Sequence, residues 1–133
     1  MKKVRLFLDY AASQEDAVLT YHASDMVLAI HSDASDLSES KARSRAGGHL
    51  FMSNDDMFPT NNGAVLTVAQ IIKAVMSSAA EAELGALYIN AREGIPARIT
   101  LAEMGHKQPP TPMQTDNSTA QGVVTSKIQP KRT

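Results

Sequence analysis

Apolar residues in this chain fall into runs whose period changes along its length. Val4, Leu6, Phe7, Leu8, Tyr10, Ala11 and Ala12 alternate with Arg5 and Asp9, which predicts a short amphipathic helix over 4–12. Ala17–Tyr21 predicts a strand or an extended lead-in. Residues 26–33 are nearly continuous in apolar side chains and end at Asp33, the signature of a central strand buried on both faces. Residues 34–45 turn polar and carry Lys41, Arg43 and Arg45, so a loop is expected. A second strand follows over 46–52, with Gly47 and Gly48 near its start. Turn residues cluster at 53–56 and 59–63, and Ala64–Val68 is a third strand by its β-branched content.

The period then becomes helical. Ser77 or Ser78 can cap a helix whose apolar face is Ala80, Leu84, Leu87, Tyr88, Ala91 and Ile95. Gly94 and Pro96 should end or kink it. A second helical stretch is expected over 97–104, capped by Gly105. Pro109, Pro110 and Pro112 make a stiff connector into a fourth strand that ends at Asp116, and another helix starts near Ser118. The order is βββαβα in the α/β class, with no internal repeat and no low-complexity segment.

Composition narrows the picture. The chain has 133 residues, 43% apolar and 20% charged, which suits one folded domain with one core. The net charge of −1 and pI near 6.4 neither favour nor exclude a nucleic-acid partner, since local patches survive a neutral total. There is no Cys, so disulfides and thiolate zinc sites are excluded, and a reducing compartment is compatible. No apolar run can cross a bilayer, and charges break up the N-terminal segment too early for a signal peptide.

The candidate chemistry lies in three carboxylates. Asp33 and Asp116 each end a strand, and a Glu lies in the first turns of the helix between them. Such a set can hold magnesium, which takes oxygen ligands and keeps water and substrate phosphates in its shell. Each residue alone has a plainer role: Asp33 in a turn, a solvated Glu, Asp116 as a helix cap. Glu81 and Glu83 both qualify for the middle place. They flank the apolar stripe on opposite sides, so periodicity leaves both open. The four histidines show no metal-ligand spacing, and the seven Met residues read as core fillers.

Four segments, in order, carry a resemblance: His31-Ser32-Asp33-Ala34-Ser35, Ser44-Arg45-Ala46-Gly47-Gly48, Ser77-Ser78-Ala79-Ala80-Glu81-Ala82-Glu83-Leu84 and Thr115-Asp116-Asn117-Ser118-Thr119-Ala120. Each is weak alone. Their order and spacing over roughly residues 27–125 resemble the ribonuclease H domain of copia-type LTR retrotransposon polyproteins. Leu6–Ala11 resembles the segment joining reverse transcriptase to that domain, so residues 1–25 are expected to be a linker-like segment and 26–133 the ribonuclease H-like domain.

The resemblance implies a five-stranded mixed sheet whose first three strands are antiparallel. It implies metal-dependent endonucleolytic cleavage of RNA in RNA–DNA hybrids, by two magnesium ions that manganese can replace. Asp33, Glu83 and Asp116 are then the catalytic metal ligands; Glu83 is preferred over Glu81 because Glu83-Leu84-Gly85-Ala86 matches the family's spacing. Lys41, Arg43, Arg45, Asn117 and Ser118 are the implied nucleic-acid contacts, with a solvated loop and helix capping as their alternatives. The implied partners are an RNA–DNA hybrid and the reverse transcriptase domain of the same polyprotein, without a membrane, in an intracellular, cytoplasmic retrotransposon particle. The family's fifth strand and closing helix, which carries a fourth acidic residue, have no counterpart before Thr133. A truncated domain is therefore expected, with an inactive ribonuclease H-like remnant that at most binds nucleic acid as the alternative function.

Overall fold

The computed structural model describes residues 1–116. The expected helix from Ser118, the contacts at Asn117 and Ser118, and the approach to a fifth strand over 126–133 lie outside them. Within them the order is α1 (Lys2–Ala12), β1 (Val27–Glu39), β2 (Arg43–Ser53), β3 (Ala64–Ile71), α2 (Ala79–Glu103) and β4 (Met113–Gln114). The four strands form one mixed sheet in the order β3-β2-β1-β4. β1, β2 and β3 are antiparallel neighbours, and β4 runs parallel to β1. This is an α/β architecture, with α2 packed on one face of the sheet. No helix of the described residues is long and apolar enough to cross a membrane.

Helix α1 forms where its spacing predicts, but none of its residues is buried. Residues 17–21 belong to no strand, so the lead-in is what forms. Tyr21 anchors it: its hydroxyl donates to the Ala64 carbonyl at 2.8 Å, and its ring lies against Gly63.

The core lies between β1, β2 and α2. Leu28, Ile30, Leu50, Met52 and Leu101 make its larger cluster. Near the other end of the sheet, Ala46, Ile72 and Ala86 make a second. Side chains alternate across a strand, so Leu28, Ile30 and Ser32 share one face of β1. Gly94 brings α2 close to that face, and a Cβ there would meet Ile30 Cδ1 at 2.9 Å.

Three expectations need correction. Residues 34–45 are no loop. β1 and β2 continue through them as a hairpin whose last Cα pair is Glu39 with Arg43, after a register shift beyond Ser35. Backbone pairing holds this ladder, and its outer residues 35–38 and 40–42 are exposed, so they need no apolar pattern. Lys41 and Ala42 turn it with φ of 62° and 51°, a left-handed pair that Asn-Gly usually supplies.

Secondly, α2 is one helix. Gly94 and Pro96 lie inside it, and it ends at Gly105 as expected, with φ of +92°. His106 N–H donates to the Leu101 carbonyl and Gly105 N–H to that of Ala102, the paired bonds of a Schellman cap.

Thirdly, the buried face of α2 is Ala82, Glu83, Ala86, Asn90, Gly94 and Leu101. Of the expected stripe, Tyr88 and Ile95 are more than half exposed. Small residues seat this helix against the sheet, so hydrophobic bulk points to the wrong side.

β4 has only two residues, and side chains extend its function. Gln108 accepts from Leu28 N–H at 3.0 Å and donates to the Met26 carbonyl at 2.7 Å. Its amide stands in for a peptide group beside β1. Arg98 on α2 clamps the connector through the Pro109 carbonyl and the Thr111 hydroxyl. The proline-rich segment therefore delivers Thr115 and Asp116 to a fixed place beside β1.

Candidate metal centre

Three elements deliver one carboxylate each. Asp33 lies on β1, Glu83 in the second turn of α2, and Asp116 two residues past β4. One oxygen from each lies within 4.8 Å of the others. Asp33 and Asp116 are exposed, whereas Glu83 is only 5% exposed.

The α2 N-terminus assigns different work to its two glutamates. Ser78 is the N-cap, and its hydroxyl accepts from Glu81 N–H at 3.1 Å. Glu81 reaches back to accept from Ser77 N–H and the Ser77 hydroxyl, both at 2.6 Å. This is a capping box displaced by one residue, and these bonds lower the Glu81 pKa. Glu81 is thereby committed to the cap, while Glu83 points into the carboxylate cluster.

Glu83 is held on both oxygens. Oε1 accepts from Ala34 N–H at 3.0 Å, and Oε2 accepts from the Thr115 hydroxyl at 3.1 Å. The same Ala34 N–H donates to Asp33 Oδ1 at 2.8 Å. One amide proton thus lies between two carboxylates and draws them together. Burial raises the Glu83 pKa; the Ala34 and Thr115 hydrogen bonds oppose the rise, and the charges of Asp33 and Asp116 add to it. Bringing a buried carboxylate beside two others costs stability unless positive charge arrives.

The donor set fits a hard divalent cation. It is all carboxylate oxygen, without imidazole or thiolate, the preference of magnesium, manganese and calcium. Oxygens sharing one magnesium stand up to about 4.2 Å apart, so a small rotation of the exposed Asp side chains would suffice.

Around this cluster, His31 lies on the face of β1 that carries Asp33, beside His49 and Phe51 at ring separations of 5.8 and 4.8 Å. Burial lowers its pKa, as does the neighbouring His49, against a hydrogen bond to Gln114. It remains a strand residue, as its sequence setting suggested.

The expected phosphate contacts fall on the β1–β2 hairpin. Lys41 is in its turn, and Arg43 Nε donates to the Ser40 carbonyl at 3.3 Å. Arg45 pairs with Ser35, two residues along β1 from Asp33 and on the same face. Of the three, Arg45 is therefore nearest in register to the carboxylates, and Lys41 and Arg43 lie farther out along the hairpin.

Sequence reasoning missed the supports of the cluster: Thr115, the Ala34 amide, Ser32 and Asn90. Thr115 had a signal in its place next to Asp116, as did Ser32 and Ala34 on either side of Asp33; Asn90 had none. Comparison of the chain with protein families, curated proteins and solved structures gives no match.

Proposed function

We propose that this chain is a ribonuclease H-like endonuclease that cuts RNA in RNA–DNA hybrids as part of a copia-type retrotransposon polyprotein. The observation that carries the reading is the convergence of Asp33, Glu83 and Asp116 from β1, α2 and the segment just past β4. The order of those elements, with three antiparallel strands and a parallel fourth, agrees with the fold that the resemblance implies. Two magnesium ions, with manganese as substitute, would supply Lewis-acid stabilisation of the attacking and leaving oxygens of phosphodiester hydrolysis.

The chain's own residues do the rest. Asp33, Glu83 and Asp116 furnish the oxygen ligands and compensate the cations' charge. Ala34 N–H and the Thr115 hydroxyl hold Glu83 in one orientation, a fixed carboxylate being worth more than a mobile one. Lys41, Arg43 and Arg45 would meet phosphates, which place the duplex without reading its sequence. Selectivity for hybrid would come from groove shape and the RNA 2′-hydroxyls. The reverse transcriptase domain is the proposed neighbour in the polyprotein, and a cytoplasmic particle the proposed setting.

The test compares cleavage of RNA–DNA hybrid, single-stranded RNA and duplex DNA with magnesium, manganese and chelator. Only hybrid should be cut, and only with metal. Asp33→Asn and Asp116→Asn should each abolish both cleavage and manganese binding by calorimetry. Cleavage that survives either substitution would overturn the reading. Manganese binding without any cleavage would favour an inactive remnant.

A further inference from the structure

We infer that Asn90 is a positioning residue, which sets the Asp33 and Glu83 carboxylates against each other from two helical turns away. The inference rests on the metal centre proposed above and adds a residue to it.

Asn90 is fully buried in the middle of α2, among Ala86, Gly94 and the two central strands. A buried amide is costly unless it is hydrogen bonded, and this one is bonded at one place. Its Nδ2 donates to Ser32 Oγ and to the Gly47 carbonyl, both at 2.8 Å. Ser32 is the residue before Asp33, and Gly47 is the residue paired with Asp33 across β1–β2. The amide therefore ties α2 to both central strands at the level of the first carboxylate.

The helix transmits that tie. Glu83 and Asn90 are seven residues apart, nearly two full turns, so they share a face. A helix can slide along a smooth stripe of small residues, and here that stripe is Ala82, Ala86 and Gly94. A directional bond at Asn90 removes both the sliding and the rotation. Glu83 then meets the Ala34 amide that also bonds Asp33.

The remaining amide oxygen argues for orientation over packing. Asn90 Oδ1 has no hydrogen-bond partner. The amide cannot turn over to repair this, because the Gly47 carbonyl accepts only. Oδ1 is seated against Gly48, where a Cβ would lie 1.9 Å from Oδ1 and 2.8 Å from Cγ. An unsatisfied buried acceptor calls for a reason, and an apolar side chain would fill the space without that cost. The geometry of Asp33 and Glu83 is what the two Nδ2 bonds secure. It also gives Gly48 its role, as the socket for the amide.

The shared Ala34 amide provides the test, since its proton reports on both carboxylates. Residue-resolved hydrogen exchange is measured with chelator on the whole chain, for the parent, Asn90→Ala, Ser32→Ala and the Gly48→Ala/Asn90→Ala pair. In the pair, the new Cβ occupies part of the vacated space, against Val68 Cβ at 3.0 Å, so packing is partly restored and the two hydrogen bonds are not. Ala34 should exchange about tenfold faster in Asn90→Ala and in the pair, the size of one lost hydrogen bond, and less so in Ser32→Ala. Leu50 and Leu66, in the β2–β3 ladder, should keep the parent's protection in the pair.

Unchanged Ala34 exchange would overturn the inference, as would equal acceleration of Ala34, Leu50 and Leu66 in the pair. Manganese titration of the same proteins separates the two claims. A parent that binds no manganese, with Ala34 still responding to Asn90→Ala, upholds the positioning and rejects the metal centre. A parent that binds manganese, with Asn90→Ala binding it equally and Ala34 unmoved, does the reverse.

Discussion

Replacing Glu83 with Gln should make the metal-free protein more stable while removing its capacity for metal. Glu83 is buried beside Asp33 and Asp116, with oxygens of all three within 4.8 Å. At that separation each like-charge pair costs about 0.9 kcal/mol if screened as in water, and about 3.5 kcal/mol at an effective dielectric constant of about 20. Both Asp residues are exposed, so the figure lies near the aqueous end, and salt lowers it further. Two pairs together give about 1–2 kcal/mol. The substitution keeps the hydrogen bonds: the Gln carbonyl can accept from Ala34 N–H, and its amide can donate to the Thr115 hydroxyl. The gain in Tm should be about 5 °C for a chain of this size.

The pH dependence identifies the cause. Glu83 holds its proton more tightly in the folded protein than in the unfolded chain, because burial raises its pKa. Its contribution to stability is therefore fully present below the ordinary carboxylate pKa, and is lost as pH rises through the raised value. Glu83→Gln should match the parent at acid pH and exceed it from neutral pH upward. Thermal melts with chelator at the two pH values measure this. Manganese should then raise the parent's Tm at neutral pH, by binding only the folded form, and leave that of Glu83→Gln nearly unmoved. Lower stability of Glu83→Gln at neutral pH, or an equal gain at both pH values, would refute the electrostatic argument.

Pro96→Ala should stabilise the chain by about 2 kcal/mol, being about 3 kcal/mol for an interior helix proline less about 1 kcal/mol for a freer unfolded state; urea denaturation would measure it, and no gain would mean that the helix is already adapted to the ring. Ser78→Ala should cost about 1 kcal/mol in the same assay by removing the N-cap. Glu81→Gln should cost less than Ser78→Ala and leave manganese binding intact. Because Ser77 lowers the Glu81 pKa, its contribution is present above the ordinary carboxylate pKa and fades as pH falls through the lowered value, so the Glu81→Gln deficit should vanish in acid.

Much of this fold is written in apolar runs, and the gaps have physical causes. β1 and β2 were legible because both carry side chains into the core, Leu28 and Ile30 from one and Leu50 and Met52 from the other. The hairpin over 34–45 was not, because its backbone ladder makes no demand on hydropathy, and its turn uses Lys41 and Ala42 in place of a glycine. The face of α2 was misread for the opposite reason. Close approach selects Ala86 and Gly94, which carry little hydrophobic weight, and leaves Tyr88 exposed. At the carboxylates, type and order were legible in the chain. Their convergence depends on long-range contacts, such as Gln108 beside β1 and Arg98 on the connector, and no local pattern encodes these. Periodicity could not separate Glu81 from Glu83; the cap does, by engaging Glu81 with Ser77.

The arrangement around Glu83 bears on why such a cluster persists in a folded chain. Three carboxylates in mutual reach weaken the metal-free protein, so the rest of the structure must hold them against their repulsion. Three of the groups that do so bear no charge of their own. The Ala34 amide lies between Asp33 and Glu83, Thr115 fixes the second Glu83 oxygen, and Asn90 locks the helix to both strands. A cationic side chain in the same place would neutralise the cluster and occupy the space a metal ion needs. The Ala34 amide and the Thr115 hydroxyl orient the Glu83 oxygens without adding positive charge. On the reading proposed above, a divalent cation that bound these oxygens would relieve the repulsion and stabilise the folded form. Repulsion among the three carboxylates and the proposed affinity for metal would then have one cause, and a substitution that relieves the first should abolish the second.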